Sequence, residues 1–175
     1  DRLRSRGLGD VYKRQVQYII DSFLVSMAKR YDVKGKTYFK YPNKYYYTDI
    51  GLRNARLNYR QYDPGHMMEN IIYNELLIRG YSVDVGVVTD RTGGANLQRE
   101  IDFVVNDADK KIYIQSAFRM DTDKKEASEL TSLILTKDFF KKIIVRMDIP
   151  HSFYDESGIF HCNLIDLLLG RVELF

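Results

Sequence analysis

The chain has 175 residues, of which 45% are hydrophobic and 29% are charged, as is typical of a soluble globular protein with one folded core. Its single cysteine, Cys162, excludes an internal disulfide and indicates a reducing, cytoplasmic compartment. No apolar run approaches the ~18 residues that a membrane span needs, so no membrane partner is expected. The net charge of +3 arises entirely within residues 1–15, so overall charge favours no class of partner.

Residues 1–15 differ in character from the rest of the chain. Within them, the segment 5–15 (SRGLGDVYKRQ) resembles an in-frame translation of a transposase adapter used in DNA sequencing libraries. We therefore interpret residues 1–15 as a non-native tail and expect the chain to be a fragment of a longer protein. The alternative is a natural, disordered basic arm.

The next segment is predicted to form a helix, a hairpin and a short helix. An apolar stripe at helical spacing predicts a helix over 16–31. Turn residues within the Tyr- and Lys-rich segment 32–47 predict a winged-helix-like β-hairpin. Asp49 is the predicted N-cap of the short helix that follows.

A different pattern begins at Asp63, where an N-cap followed by Pro64 predicts a helix that ends at Gly80. The later predicted elements are strands at 81–88, 98–105 and 111–118 with a hairpin turn at Gly93-Gly94, a helix at 123–135, a strand at 141–147 and a helix at 162–170.

Three strands in hairpin succession and a helical crossover to a fourth predict a mixed sheet with helices on its faces. The fold class is therefore α/β, more closely α+β, with the core order helix-strand-strand-strand-helix-strand. This order is the core arrangement of the restriction-endonuclease-like fold. The predicted domains are the tail at 1–15, a linking unit at 16–62 and a nuclease-like domain at 63–175.

Metal-dependent phosphodiester cleavage needs carboxylates that hold Mg²⁺ and a cation near the scissile phosphate. Nucleases of this fold place a Glu on the first helix, an Asp on the second strand and Glu-x-Lys on the third. Glu69 and Asp102 occupy the first two positions, but Gln115 and Ala117 stand where the third strand should carry Glu and Lys.

The sequence therefore predicts a vestigial catalytic site formed by Glu69, Asp102 and Gln115. Glu69 and Asp102 are its metal ligands, and they should hold Mg²⁺ only weakly. Lys124 and Lys125 are the candidates for a displaced lysine. In the structural alternative, the helix dipole favours Glu69 at its position and Asp102 belongs to a solvated charge cluster.

In the Tyr- and Lys-rich segment 34–47, aromatic rings are interleaved with cations. Such a pattern suits stacking on bases and pairing with phosphates. In the alternative, these tyrosines pack against the helix predicted at 16–31. The candidate nucleic-acid-binding residues are Lys36, Lys40, Lys44, Arg53, Arg56 and Arg60.

Several motifs recur in an order that resembles one family, and the resemblance covers residues 16–175. They are KYYYTDIGLRNARLNYRQ (44–61), HMMENIIYNELLIRGYSVDVGVV (66–88), REIDFVV (99–105), YIQSAF (113–118) and GIFHCNLIDLLLG (158–170). Together they resemble the C-terminal domain of unknown function 4143, found after an AAA+ ATPase module in a large group of prokaryotic proteins.

The resemblance implies a nuclease-like fold and a parent protein whose ATP site lies in a missing N-terminal module. No P-loop motif occurs in this chain, so no cofactor is expected here apart from weakly held Mg²⁺. The family often carries Glu-x-Lys on the third strand, and Gln-Ser-Ala departs from that pattern.

Three functions stay open. The first is a catalytically degenerate nuclease-like domain that binds DNA, RNA or a protein partner in concert with the AAA+ module. The second is an active Mg²⁺-dependent nuclease. The third is a protein–protein interaction module that does not bind nucleic acid.

Overall fold

The computed structural model describes residues 2–40, 42–91 and 96–175. The predicted turn at Gly93-Gly94 lies outside these residues. The helices are α1 (Arg2–Asp21), α2 (Ile50–Arg56), α3 (Pro64–Ile78), α4 (Asp123–Ile134) and α5 (Leu164–Leu168). The strands are β1 (Val25–Ala28), β2 (Arg30–Asp32), β3 (Thr37–Tyr38), β4 (Lys44–Tyr47), β5 (Ser82–Asp90), β6 (Leu97–Asp107), β7 (Lys110–Ala117), β8 (Lys141–Arg146), β9 (Phe153–Tyr154) and β10 (Phe160–Asn163).

The described strands form one large mixed sheet and one small sheet. The large sheet has the strand order β3-β2-β5-β6-β7-β8-β10-β9, and the small one pairs β1 with β4. Strand β6 pairs antiparallel with β5 and with β7, whereas β8 runs parallel to β7 after the crossover through α4. The predicted α+β class, with a mixed sheet flanked by helices, is confirmed.

Alternation along the central strands divides the core into two layers. Phe103 and Ile114 pack on the layer that contains Ile72 and Leu76 of α3. Val104 and Tyr113, which are adjacent in sequence to Phe103 and Ile114, belong to the opposite layer with Leu133 of α4. The sheet is thus covered by α3 on one face and by α4 on the other, and both helices contribute residues to the candidate site.

The N-terminal part of α3 follows from local signals in the sequence. The Asp63 side chain accepts a hydrogen bond from the His66 N–H at 3.1 Å, and Pro64 occupies the first turn. The helix ends before Gly80, whose φ of 84° lies in the left-handed region that favours glycine. Both predicted ends of this helix are confirmed.

The helix predicted at 16–31 is only partly correct. The observed α1 ends at Asp21, and Phe23 takes a φ of 59° that breaks the helix. Strand β1 follows because its backbone pairs with β4 in the register Val25↔Tyr47. A short apolar run does not distinguish a helix from a strand, so this distant pairing decided the local structure.

The winged-helix-like hairpin predicted at 32–47 is also only partly correct. A hairpin does form, but it joins β2 to β3, and β4 pairs with β1 instead. Strand β2 pairs in parallel with β5, which places the hairpin at the edge of the large sheet. The reason is again a non-local pairing, which competes with the adjacent strand for the same backbone groups.

The linking unit predicted at 16–62 contributes directly to the large sheet through β2 and β3. Its Ala28 and Tyr46 side chains are buried in the same core layer as α3. A domain boundary at residue 62 stays a prediction, while the packing on its two sides is continuous. Of the described helices, none combines the length and apolar character required to cross a membrane.

Candidate functional site

The first predicted site residue, Glu69, lies on the face of α3 that points towards β4. Its Oε1 atom accepts hydrogen bonds from the Tyr46 hydroxyl at 2.6 Å and from Lys44 Nζ at 2.8 Å. Tyr46 is held in place because its ring stacks on Tyr73 of α3, with 4.0 Å between the ring centroids. The Glu69 carboxylate is therefore fixed by two donors from β4.

Asp102 and Gln115 meet across the β6–β7 ladder. The Asp102 Oδ2 atom accepts from the Ser116 N–H at 2.8 Å, and Gln115 Oε1 lies 3.3 Å from the Asp102 N–H, which donates to it. The hydroxyl of Ser132 on α4 also donates to Gln115 Oε1, at 3.5 Å. Asp102 is only 8% exposed, so the predicted solvated charge cluster is not its environment.

The structure brings the three predicted catalytic residues to one cavity of about 260 Å³. Glu69 enters it from α3, Asp102 from β6 and Gln115 from β7, and Ala117 lies beside them. Lys125 also lines the cavity, whereas the side chain of Lys124 lies outside the described part of the chain.

Lys44 supplies a cation that the sequence pattern places elsewhere. Its Nζ atom lies 2.8 Å from Glu69, 2.5 Å from Glu100 and 3.8 Å from the nearer oxygen of Asp102. Arg30 forms a second ion pair with Glu100. The Lys44 ammonium is therefore held among the site carboxylates, and its contact with nucleic acid stays a prediction.

Burial alone lowers the pKa of Lys44, but the carboxylates of Glu69, Asp102 and Glu100 outweigh it and raise that pKa. The ammonium therefore stays charged. The expectation that the site lacks a positive group is therefore wrong. Lys44 of β4, which lies 58 residues before Asp102 in the chain, supplies that group.

Glu129 on α4 was not predicted as a site residue. Its side chain lines the same cavity and hydrogen-bonds with Gln115. Burial raises the pKa of Glu129, and the Gln115 amide partly opposes that rise. On the same helix, Ile134 is 55% exposed, while Ser132 is buried.

Burial and the nearby Glu69 carboxylate raise the pKa of Asp102 to about 8, and Lys44 opposes the shift. Asp102 therefore carries a proton at neutral pH. This agrees with the distances around Lys44, because Asp102 is the farthest of its three acidic neighbours. The ion pairs to Glu69 and Glu100 remain intact when Asp102 is neutral.

The folded state should lose stability as pH rises through this pKa. Between pH 4 and pH 8 the folded protein holds a proton on Asp102 that the unfolded chain, with a pKa of 3.8, has released. We expect the free energy of unfolding to fall by about 1 kcal/mol or more between pH 5 and pH 8 through this group. Asp102→Asn should flatten that dependence in urea titrations at several pH values. An unchanged slope in the variant would contradict the assignment.

The metal prediction was limited to Glu69 and Asp102. Among the described residues, no group of three or more His, Cys, Asp or Glu side chains is arranged to hold a metal ion. Oxygen atoms of Glu69 and Asp102 already accept hydrogen bonds from Tyr46, Lys44 and Ser116. A divalent ion at these oxygen atoms would compete with those donors.

The remaining predicted nucleic-acid-binding residues do not share one helical face. Helix α2 ends at Arg56, and Asn58 and Tyr59 then adopt left-handed φ values, so Arg60 lies beyond the helix. Arg53 donates to the Gln61 carbonyl at 3.2 Å and is half-buried. The exposed members of the set are Lys36, Lys40, Arg56 and Arg60.

One curated relative is an uncharacterised protein of Haemophilus influenzae (strain ATCC 51907 / DSM 11121 / KW20 / Rd). It is 36% identical over 152 residues, which cover 85% of this chain. The matched region is 34% of the relative, so the chain spans about a third of that protein's length. No family model and no solved structure matches the chain.

Proposed function

We propose that this chain is a restriction-endonuclease-like domain that does not hydrolyse phosphodiester bonds and that binds nucleic acid. The element order α3-β5-β6-β7-α4-β8 supports the fold. The convergence of Glu69, Asp102 and Gln115 on one cavity supports descent from a nuclease, because these positions correspond to those of nuclease carboxylates.

The position of Lys44 is the observation that supports the absence of hydrolytic activity. Its ammonium occupies the space between Glu69, Glu100 and Asp102, where a divalent cation would otherwise be attracted. Mg²⁺ needs several oxygen ligands and gives up its water reluctantly. A neutral Asp102 and a neutral Gln115 lack the charge that would offset this dehydration.

The binding role rests on the exposed cations of the segment before α3. Lys36 and Lys40 flank β3, and Arg56 and Arg60 lie on and after α2. Phosphate contacts by such side chains give affinity without sequence readout. We further propose that the parent protein contains an AAA+ ATPase module, which would hold the ATP and act together with this domain.

A second candidate function is an active Mg²⁺-dependent nuclease. The observation that favours it is that Glu129 and Lys44 enter the site from elements other than β7. A carboxylate and an ammonium are the two groups that Gln115 and Ala117 fail to supply. In this case Lys44 would move away from Glu69 to admit the metal, and Glu129→Gln would abolish cleavage.

Replacing Arg53, Arg56 and Arg60 with Ala should weaken nucleic-acid binding and flatten its dependence on salt. Each lost phosphate contact lowers the slope of log affinity against log salt by about 0.9 for a duplex and about 0.7 for a single strand. Fluorescence anisotropy with labelled oligonucleotides at several salt concentrations measures both quantities.

The control is Arg171→Ala, since Arg171 is an exposed arginine near the C-terminal end that pairs with Asp166. It should leave the affinity and the slope unchanged. If the parent domain binds no DNA or RNA even at low salt, the binding role is wrong and the protein–protein interaction module becomes the better account.

A further inference from the structure

A group of aromatic rings and lysines lies on the sheet face that carries α4. We call it the aromatic–lysine platform, and its members are Lys29, Tyr31, Tyr38, Lys111 and Phe140. They come from β2 and β3 at one edge of the sheet, and from β7 and the residues next to β2 and β8. Of this set, only Tyr38 belongs to the Tyr- and Lys-rich segment 32–47.

The rings and cations of the platform are interleaved. The centroids of Tyr31 and Tyr38 are 5.2 Å apart at an interplanar angle of 56°. Lys111 Nζ lies between two rings, 5.2 Å from the centroid of Tyr31 and 5.5 Å from that of Phe140. Lys29 Nζ lies 5.8 Å from the centroid of Tyr38. These distances are those of cation–π pairs.

The platform remains open to solvent although its members contact each other. Tyr38 is 58% exposed and Phe140 is 42% exposed. Asp84 is the acidic side chain beneath Tyr38, and its carboxylate accepts from the Tyr38 hydroxyl at 2.9 Å. Burial raises the pKa of Asp84, while Lys29 and Lys111 act in the opposite direction. The exposed part of the platform thus consists of ring surface and ammonium groups.

We propose that the aromatic–lysine platform binds single-stranded nucleic acid, with bases stacked on Tyr38 and Phe140 and phosphates paired with Lys29 and Lys111. This inference rests on the proposed nucleic-acid-binding role and assigns it a surface outside the cavity. Unpaired bases are the partner because their flat faces are accessible, whereas those of a duplex are stacked on one another.

The platform has a fixed relation to the candidate site. Lys111 and Gln115 share one face of β7 because side chains alternate along a strand. At about 3.3 Å per residue, the two positions are about 13 Å apart along β7. Lys36 and Lys40, which flank β3, lie next to Tyr38 in the same hairpin and extend its positive edge.

The test is fluorescence anisotropy with a fluorescein-labelled oligothymidine strand and with a duplex of the same length. Tyr38→Leu removes the ring and should weaken strand binding by about fivefold or more. Tyr38→Phe keeps the ring, loses the bond to Asp84 and should retain affinity. Lys111→Gln should reduce the slope of log affinity against log salt by about 0.7.

Lys110→Gln is the matched control, because Lys110 is exposed and precedes Lys111 on the opposite face of β7. It should change neither affinity nor slope. Circular dichroism checks that Tyr38→Leu is folded, and the Lys111→Gln result stands independently if that variant is not.

The outcomes separate this inference from the proposed function. If the parent binds the strand and loses affinity on replacement of Arg53, Arg56 and Arg60, but not on replacement of Tyr38 or Lys111, only the platform is overturned. If the parent binds no nucleic acid, both are overturned. Preference for the duplex overturns the single-strand assignment. Concentration-dependent self-association that Tyr38→Leu abolishes would show that a second copy covers the platform instead.

Discussion

Replacing Gly86 with alanine is expected to lower the free energy of unfolding by about 2 kcal/mol. Gly86 follows the irregularity in the β5–β6 ladder, at the centre of the large sheet. A Cβ atom at this position would lie 2.8 Å from Val104 Cγ2 and 3.0 Å from Ile101 Cβ. Both neighbours are fully buried, so the strands must shift to accept the methyl group. Urea unfolding of the parent and the variant measures the difference.

Two further variants test the cause of this loss. Gly86→Ala should cost less in a Val104→Ala background, because the nearest contact is then removed. Gly65→Ala is the control, since its Cβ would meet only the Asp63 carboxylate oxygen, at 3.3 Å, in the first turn of α3. An equal cost for Gly86→Ala in both backgrounds would mean that close packing against Val104 is not the reason.

Replacing Lys44 with methionine is expected to cost about 2 kcal/mol of stability at pH 7. The variant keeps most of the side-chain volume but removes the ammonium between Glu69 and Glu100, so that Glu69 loses its ion-pair partner while Glu100 keeps Arg30. Breaking a fully buried ion pair costs about 3–5 kcal/mol, and the 28% exposure of the Lys44 side chain reduces that figure. Thermal and urea unfolding give the value.

The matched control is Lys40→Met, because Lys40 is exposed and lies four residues before Lys44. It should change stability by less than about 0.5 kcal/mol. A double-mutant cycle with Glu100→Gln should show a smaller cost for Lys44→Met, since the ion pair between Lys44 and Glu100 is already absent in that background. A cost below about 0.5 kcal/mol for Lys44→Met alone would show that the lysine is not held by the site.

The elements that rest on local signals were predictable from the sequence. The N-cap of Asp63, the glycine at position 80 and the alternation along β6 and β7 locate α3 and the central strands. Each of these signals acts within a few residues, so neighbouring positions suffice to read it. The order of these elements also places Glu69, Asp102 and Gln115 in one cavity, because β6 and β7 are adjacent strands and α3 packs on the sheet that contains them.

The features that were missed depend on contacts between distant segments. Strand β1 was read as a helix because its pairing with β4 lies about twenty residues away in the chain. Lys44 was read as a surface cation because nothing near it indicates that Glu69 and Asp102 surround its ammonium. Glu129 was not predicted as a site residue, because nothing near it in the sequence indicates that Gln115 is its partner in the cavity.

We propose that the site formed by Glu69, Asp102 and Gln115 does not cleave phosphodiester bonds. The direct measurement is a plasmid-nicking assay with Mg²⁺ and Mn²⁺, together with labelled single-stranded DNA and RNA. It compares the parent domain, Asp102→Ala and the double variant Gln115→Glu with Ala117→Lys, which restores a carboxylate and a lysine on β7. Asp102 belongs to the site by geometry, so Asp102→Ala controls for contaminating nucleases.

We expect no metal-dependent cleavage by the unsubstituted domain. We expect at most slow cleavage by the double variant. That variant supplies the two groups that β7 lacks, but Lys44 still neutralises Glu69. Efficient cleavage by the unsubstituted domain that disappears in Asp102→Ala would contradict the loss of hydrolysis and establish an active nuclease.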